Sequence, residues 1–180
     1  MECLSINDCT DGKICSSGVC TSCTNSIQCT NPAASVCSPL GKCVECVNHS
    51  GCPDAEKAKC LSNTCVPCTD STSCDRFPIT KLCSTSLGGR CVECDADSDC
   101  SDPEQAECDT NTNTCIACTD SIHCAHLAPE KVCKLSGLCV ECVNDSDCPD
   151  TAKAKCSSNA CVPCTDSTSC DHFPTTKLCS

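Results

Sequence analysis

The sequence predicts a small disulfide-rich fold, a rod-like tandem array of two-disulfide modules of about 23 residues each, with short β-hairpins and little other regular secondary structure. Two observations predict this fold. Cysteine supplies 31 of the 180 residues. In addition, residues 142–179 repeat residues 46–83 with eight differences in thirty-eight positions and no insertion. Because self-similarity at a fixed period indicates one structural unit used many times, function is expected to belong to the array and not to one pocket.

The composition leaves too little apolar material for an ordinary globular core. Leucine, isoleucine, valine and phenylalanine together supply 27 residues, tryptophan and tyrosine are absent, and the formal net charge is -12. A chain of this kind would be disordered without other support. A disulfide that closes a loop of about 15 residues contributes roughly 3 kcal/mol, so two bridges per module can substitute for the missing core.

The cysteines could form either disulfides or metal–thiolate clusters, and the two interpretations imply opposite redox compartments. Thiolate clusters favour C-x-C and C-x2-C steps with many lysines nearby, and structural zinc sites usually include histidines at set spacings; this chain has no C-x-C step. The spacing therefore favours disulfides and an extracellular or cell-surface location. A metal-buffering thiolate protein in the cytoplasm is the alternative.

The cysteine spacing divides the chain into eight modules, each of which begins with C-x5-C. A junction of two residues always separates the last cysteine of one module from the first cysteine of the next. Because a linker this short leaves no free joint, neighbouring modules are expected to touch. The predicted modules are residues 3–22, 23–45, 46–67, 68–93, 94–117, 118–141, 142–163 and 164–180, the last of them truncated.

The junctions alternate, which makes a pair of modules the repeating unit. Even-numbered modules end in CVEC, whereas odd-numbered modules end in CTSC, CVPC or CIAC. Within a module, the segment between the third and fourth cysteines predicts a β-hairpin around a Gly- or Asn-containing turn, as in 82–92 and 132–140. The segment before it predicts a loop, with a single helical turn around 54–59 and 150–155.

The C-x5-C openings and the CVEC and CVPC junctions resemble the four-cysteine modules of furin-like and EGF-like cysteine-rich domains, and the cysteine-rich arrays of protist or bacterial surface proteins. Four cysteines allow three connectivities, and the spacing does not choose among them. The resemblance implies first-to-third and second-to-fourth pairing. It also implies a stapled extracellular rod, coat or receptor without catalytic activity. The implied bridges include Cys46–Cys60, Cys52–Cys65, Cys68–Cys83, Cys74–Cys91, Cys142–Cys156 and Cys148–Cys161.

Both ends of the chain indicate a segment of a longer array. Residues 1–3 align with the CVEC junctions, and the last module stops at Ser180 before its fourth cysteine. Any signal peptide or anchor is therefore expected to lie outside this segment. Under the implied pairing Cys170 lacks a partner, and a nested pairing would instead strand Cys164. Truncation is the simplest explanation in either case.

Two sequons and one acidic cluster are the candidate sites for modification and for binding an ion. Asn48 and Asn144 begin N-x-S sequons at equivalent places, so attached glycans are predicted there. Alternating aspartates could ligate calcium, but the glycine and the distant glutamate of an EF-hand are missing, so a solvated charged face is favoured and no metal or other cofactor is predicted. These aspartates are Asp95, Asp97, Asp99 and Asp102.

The only aromatic residues, Phe77 and Phe173, occupy matching places in even modules. They are expected to pack on a neighbouring module or on another chain, where they could form a recurring lateral contact. The four histidines lie at variable positions and are expected at the surface, not as ligands or bases.

These features together predict a structural component of an extracellular fibre, stalk or surface coat. The expected partners are other copies of the chain or other extracellular matrix or surface proteins. The alternative is a surface adhesin or receptor-like ectodomain that binds a partner through its variable loops. The acidic balance argues against nucleic acid, no apolar run is long enough to span a membrane, and no catalytic constellation indicates an enzyme.

Overall fold

A computed structural model describes residues 3–164, together with Thr168 and Phe173. In this part of the chain, regular structure is limited to seven two-stranded antiparallel hairpins and ten short 3₁₀ helices. The predicted fold class, a small disulfide-rich chain of repeated modules with short hairpins, is confirmed. The predicted rod shape stays a prediction.

Each predicted hairpin between the third and fourth cysteines is present in modules 1 to 7. The helical turns predicted near 54–59 and 150–155 are 3₁₀ helices of three residues each. In chain order, the strand pairs are Ile14–Ser16 with Val19–Thr21, Val36–Cys37 with Cys43–Val44, Lys59–Leu61 with Thr64–Val66, Leu82–Ser84 with Arg90–Val92, Glu107–Asp109 with Thr114–Ile116, Val132–Cys133 with Cys139–Val140, and Lys155–Ser157 with Ala160–Val162.

The segment between the first and second cysteines, predicted as loop, forms a 3₁₀ helix in every module from 1 to 7. Such a helix is one turn long and shows no hydrophobic periodicity, so a pattern search misses it. These opening helices are Ile6–Asp8, Ser26–Gln28, His49–Gly51, Ser71–Ser73, Asp97–Asp99, Ser121–Cys124 and Asp145–Asp147. Three further 3₁₀ helices are Pro32–Ala34, Ala55–Lys57 and Thr151–Lys153.

The hairpin register sets the geometry of the disulfides. In module 3, Cys60 lies directly opposite Cys65, and the same holds for the third and fourth cysteines of every described hairpin. Directly opposed residues project from the same face of an antiparallel pair. Both cysteines of a hairpin therefore point towards the opening helix. The first cysteine precedes this helix, and the second follows it or, in module 6, ends it.

Fourteen disulfides use every cysteine from Cys3 to Cys161, and each of them lies inside one predicted module. The connectivity is first to third and second to fourth, the pairing that the resemblance implies. For example, Cys46 is bonded to Cys60 and Cys52 to Cys65, with Cα atoms 5.9 and 5.5 Å apart. Cys164 is also disulfide-bonded. Cys170 and Cys179 lie outside the described residues.

Sulfur forms most of the core. Of the largest fully buried side chains among the described residues, all but two serines are cysteines. Modules 3 and 5 each bury a cluster made only of their own four cysteines. The disulfides thus act both as covalent links and as the apolar filling of each module.

Neighbouring modules pack in pairs, in which an odd module contacts the core of the even module that follows it. Ala58 of module 3 is fully buried and belongs to a cluster with Cys68, Cys74 and Cys91 of module 4. Ala106 of module 5 is buried in the same way against module 6, and Ile14 of module 1 against module 2. One small or apolar residue of modules 1, 3 and 5 therefore completes the core of the even module that follows.

The hairpin turns differ between odd and even modules for a steric reason. Gly89 has a φ of +86°, and a Cβ atom there would lie 2.4 Å from the Cys68 carbonyl oxygen and 2.8 Å from Pro67 Cβ in the junction. Only glycine fits such a turn. Odd modules 3, 5 and 7 instead place an asparagine at positive φ, and in module 3 the Asn63 side-chain amide donates a 2.9 Å hydrogen bond to the Cys46 carbonyl.

The chain divides into two compact units, residues 1–92 and 93–180. The division falls within the CVEC junction between modules 4 and 5, so each unit contains four of the predicted modules. The exact module boundaries stay a prediction. No helix among the described residues has the length and apolar character needed to cross a membrane.

Candidate functional site

The opening helix is the most regular polar feature of the modules, and both sequons lie in it. In each of modules 1 to 7, the residue two positions after the first cysteine is the N-cap of this helix, with extended backbone geometry. These N-caps are Ser5, Asn25, Asn48, Asp70, Ala96, Asp120 and Asn144. Short polar side chains are preferred at this position because they accept hydrogen bonds from the first free N–H groups of a helix.

Asn48 and Asn144 are both exposed, and Oδ1 of each accepts a hydrogen bond from the hydroxyl of the serine two residues later. The Ser50 hydroxyl donates to Asn48 Oδ1 over 2.5 Å. The Ser146 hydroxyl donates to Asn144 Oδ1, and Asn144 Oδ1 also accepts the Ser146 backbone N–H over 3.0 Å. The Oδ1 atom of each sequon is thus engaged locally. Both asparagines are exposed, as attachment of a glycan requires.

A side chain that begins the opening helix fastens it to the hairpin in six of the seven described modules. Its acceptor atom receives the backbone N–H of the third cysteine over 2.8 to 3.1 Å, 11 or 12 residues away. We call this contact the opening clamp. Its acceptors are Ser26, His49, Ser71, Asp97, Ser121 and Asp145. Sequence reasoning missed the clamp because hydroxyl, imidazole and carboxylate groups all serve, and only their common position identifies them.

The clamp and the caps account for most of the acidic cluster. Asp97 Oδ1 accepts the Cys108 backbone N–H over 2.9 Å. Asp99 Oδ2 accepts from the backbone N–H groups of Asp95 and Ala96 over 2.9 and 3.0 Å, and Asp102 Oδ1 accepts from that of Glu104 over 2.9 Å. Three of the four aspartates thus have a structural role that needs no ion.

The Phe77 side chain packs against a buried cluster of the fold. It is half-buried against the cluster that contains Ala58 and the buried cysteines of module 4, and Ala55 of module 3 lines the same cluster. The Arg76 guanidinium lies 4.4 Å from the centre of the Phe77 ring, a cation–π contact. Phe77 therefore packs against a cluster to which modules 3 and 4 both contribute, and the predicted lateral contact of Phe77 and Phe173 stays a prediction. Phe173 is half-buried, and most of its module lies outside the described residues.

Exposed leucines are an apolar feature that the sequence reasoning did not single out. The hairpin turn of each described even module carries one: Leu40 and Leu87 are 82% and 46% exposed, and Leu135 is fully exposed. Exposed leucine at a turn is unusual only when it recurs. The available signal was the recurrence of leucine beside glycine in PLGK, SLGG and KLSG.

Disulfide bonding also decides what the cysteines can do chemically. Groups of three cysteine sulfurs, such as those of Cys46, Cys52 and Cys60, lie within 4.8 Å of one another. These groups arise because the two bridges of a module lie side by side. A bridged sulfur is neither a thiolate ligand nor a nucleophile. From Cys3 to Cys161 the oxidised chain therefore offers no thiolate for metal buffering.

Comparison with known proteins finds no matching family, curated protein or solved structure. No family match thus supports the furin-like or EGF-like resemblance. The fold itself defines the class of protein, a tandem cysteine-rich repeat with regular pairs of disulfides.

Proposed function

We propose that this chain is a structural component of an extracellular fibre, stalk or surface coat, assembled through contacts with other copies of itself or with other extracellular matrix or surface proteins. The observation that carries this proposal is the recurrence of one exposed leucine in the hairpin turn of modules 2, 4 and 6. Disulfide density supports the location, because disulfides persist in oxidising extracytoplasmic compartments.

The scaffold suits a load-bearing or covering role. Each described module carries its own pair of bridges, so its fold does not depend on a large shared core. Modules of this kind present the same turn again and again at a regular interval of sequence. A homogeneous assembly requires such repetition, because every copy must offer the same contact.

The exposed leucines provide the free energy for such contacts. Burying one leucine side chain contributes about 1.5 to 3 kcal/mol. A single contact of this size is weak, but several on one chain reinforce one another as linked sites. The weak individual contact and the repeated presentation together favour assembly between long arrays.

Electron microscopy of the native, unreduced protein tests the proposal. Continuous fibres or sheets with an axial repeat that corresponds to two or four modules are the expected result. Isolated particles of one chain's length at all concentrations would overturn the structural proposal. That outcome would favour the adhesin or receptor-like alternative, whose partner would then be sought by pull-down from extracellular material.

Replacing Leu40, Leu87 and Leu135 together by serine is expected to weaken self-association about tenfold or more per buried leucine, because each loses most of its transfer free energy. Sedimentation velocity over a concentration series measures the change. Leu61→Ser is the matched control, since Leu61 is also exposed but lies in an odd hairpin, and Ser157 occupies its place in module 7. Equal association by the triple variant and the control would contradict a role for the even-module turns.

Attached glycans are part of the proposed coat, at Asn48 and Asn144. Expression through a eukaryotic secretory route is expected to attach two N-linked glycans. An amidase specific for such glycans should remove both, and intact-protein mass spectrometry measures the change in mass. Asn48→Gln and Asn144→Gln should each remove one glycan. Asn25→Gln changes an equivalent N-cap outside a sequon and should leave the mass shift intact. Retention of both glycans in the Asn48→Gln, Asn144→Gln double variant would contradict the assignment.

A further inference from the structure

His123 of module 6 lies between two carboxylates of module 5. Its Nδ1 is 2.8 Å from Asp97 Oδ2, and its Nε2 is 3.6 Å from Glu107 Oε2. The side chains of His123, Asp97 and Glu107 are 24%, 32% and 17% exposed, so the cluster is partly shielded from solvent. An imidazole held between two carboxylates is stabilised in its protonated form.

Backbone contacts hold both carboxylates in place. Asp97 Oδ1 accepts the Cys108 N–H as the opening clamp of module 5. Glu107 Oε2 accepts the backbone N–H and the hydroxyl of Thr119, over 2.8 and 2.7 Å. The carboxylates therefore do not turn away when the charge of His123 changes, and Glu107 links the two modules through both Thr119 and His123.

Two further titratable groups lie near this cluster, Asp120 and His126 of module 6. The hydrogen bond to Asp97 is the largest effect and raises the pKa of His123 above its ordinary value of about 6.5; burial opposes this rise, and the charges of Glu107, Asp97 and Asp120 add to it. His126, three residues on, uses Nε2 to donate to the Cys100 carbonyl over 2.7 Å.

Burial raises the pKa of Asp97, but the hydrogen bonds from the Cys108 N–H and from His123, together with the charges of His123 and His126, leave that pKa below its ordinary range. Protonated His123 stabilises the contact between modules 5 and 6. This stabilisation is complete below pH about 6.5 and is lost as the pH rises through the raised pKa of His123. Ionised Asp97 stabilises the same contact above pH about 4, and this stabilisation is lost as the pH falls through the lowered pKa of Asp97. The contact is strongest in mildly acidic solution.

The same place in modules 3 and 4 is built differently. Lys59 replaces Glu107 there and Ser73 replaces His123, and Lys59 Nζ donates to Thr69 Oγ1 and lies 3.8 Å from Asp70 Oδ2. A lysine stays charged throughout the range in which a histidine titrates. His49 takes the place of Asp97 and uses Nδ1 to accept the Cys60 N–H within its own module.

We propose that the contact between modules 5 and 6 is a pH-sensitive lock, in which protonated His123 bridges Asp97 and Glu107 and holds module 6 on module 5. Deprotonation in neutral to alkaline solution removes the bridging charge and leaves two facing carboxylates, so the contact opens more often. This inference concerns a contact within one chain and does not rest on the proposed function.

Amide hydrogen exchange at Thr119, measured by NMR on the full disulfide-bonded chain, tests the lock. Its N–H is bonded to Glu107, so its protection reports opening of the contact. After division by the intrinsic rate of the reduced, unfolded chain, protection is expected to fall about two- to fivefold from pH 5 to pH 8, the range for a partly exposed ion pair. His123→Ser, which installs the residue of module 4, should remove this dependence.

His49→Ser is the matched control. Serine is the clamp residue of modules 2, 4 and 6, so this variant removes a histidine elsewhere and keeps the acceptor; it should leave the pH dependence at Thr119 unchanged. Flat protection in the wild-type chain, or an undiminished dependence in His123→Ser, would overturn the lock. Should His123→Ser not fold, the NMR titration of the His123 ring decides: Asp97→Asn should lower its midpoint, and an unchanged midpoint overturns the proposal.

Discussion

Replacing Cys52 and Cys65 together by serine is expected to unfold the hairpin of module 3 while module 7 stays folded. Loss of a native disulfide from a small domain costs about 2 to 5 kcal/mol. The cost should lie in the upper part of this range, because the buried cluster of module 3 consists only of its four cysteines, and Cys52 is fully buried. The substitution also leaves hydroxyl groups in the site of an apolar bridge.

Hydrogen exchange of the strand amides in Lys59–Leu61 and Thr64–Val66 measures this effect. Protection is expected to fall about thirtyfold or more, whereas the strands Lys155–Ser157 and Ala160–Val162 should keep theirs, since every described bridge of module 7 lies within that module. Glu56→Ala is the matched control, because Glu56 is exposed and Ala152 occupies its place in module 7. Loss of protection in both hairpins would show that the modules fold as one cooperative unit.

Enlarging Ala106 to leucine is expected to separate module 6 from module 5. Ala106 has no exposed surface and lies in a cluster with Cys118, Cys124 and Cys139, where disulfides leave little freedom to repack. Added methylene groups at such a site typically cost about 1 to 3 kcal/mol. The reporter is the Cys139 N–H, which donates a 2.9 Å hydrogen bond to the Pro103 carbonyl across the module contact.

The control for this substitution lies next to it. Gln105→Leu adds the same side chain at an exposed position, so exchange at Cys139 should match the wild type. A faster exchange at Cys139 only in Ala106→Leu is the expected result. Equal exchange in both variants would mean that Ala106 does not complete the core of module 6.

The fold was largely predictable because cysteine spacing and turn residues carry it. The gap from Cys83 to Cys91 with its two glycines predicts a hairpin, and the structure has one there. The helical turn near residue 54 was predictable from Asp54, which accepts the Glu56 N–H as an N-cap. The connectivity did not follow from spacing. It depends on how the hairpin is oriented over the opening helix, with the third cysteine next to the first and the fourth next to the second.

Contact between neighbouring modules was predicted, but the opening helices and the residues that form the module contacts were not, for two physical reasons. A helix of one turn has no periodicity, although Asn25 and Gln28 show the spacing of residues that bond across such a turn, and the Gln28 side chain does accept the Asn25 N–H. Ala58 and Ala106 look like ordinary small residues in the sequence, and only the position of the next module's bridges makes them core residues. His123 and Glu107 belong to different modules, so local pattern does not connect them.

The pairing of modules also limits how an array of this kind can change in length. An even module needs the buried apolar residue of the odd module before it, which is Ile14, Ala58 or Ala106 in the described pairs, and its turn needs glycine because it packs on the junction between the two modules. Deleting or duplicating one module would place two odd or two even modules next to each other. An even module without an odd module before it would have an unfilled core, and an odd module without an even module after it would leave its apolar residue uncovered. Gene duplication that yields a folded product should therefore proceed two modules at a time, and the copy of residues 46–83 at 142–179, two pairs further along, fits that rule.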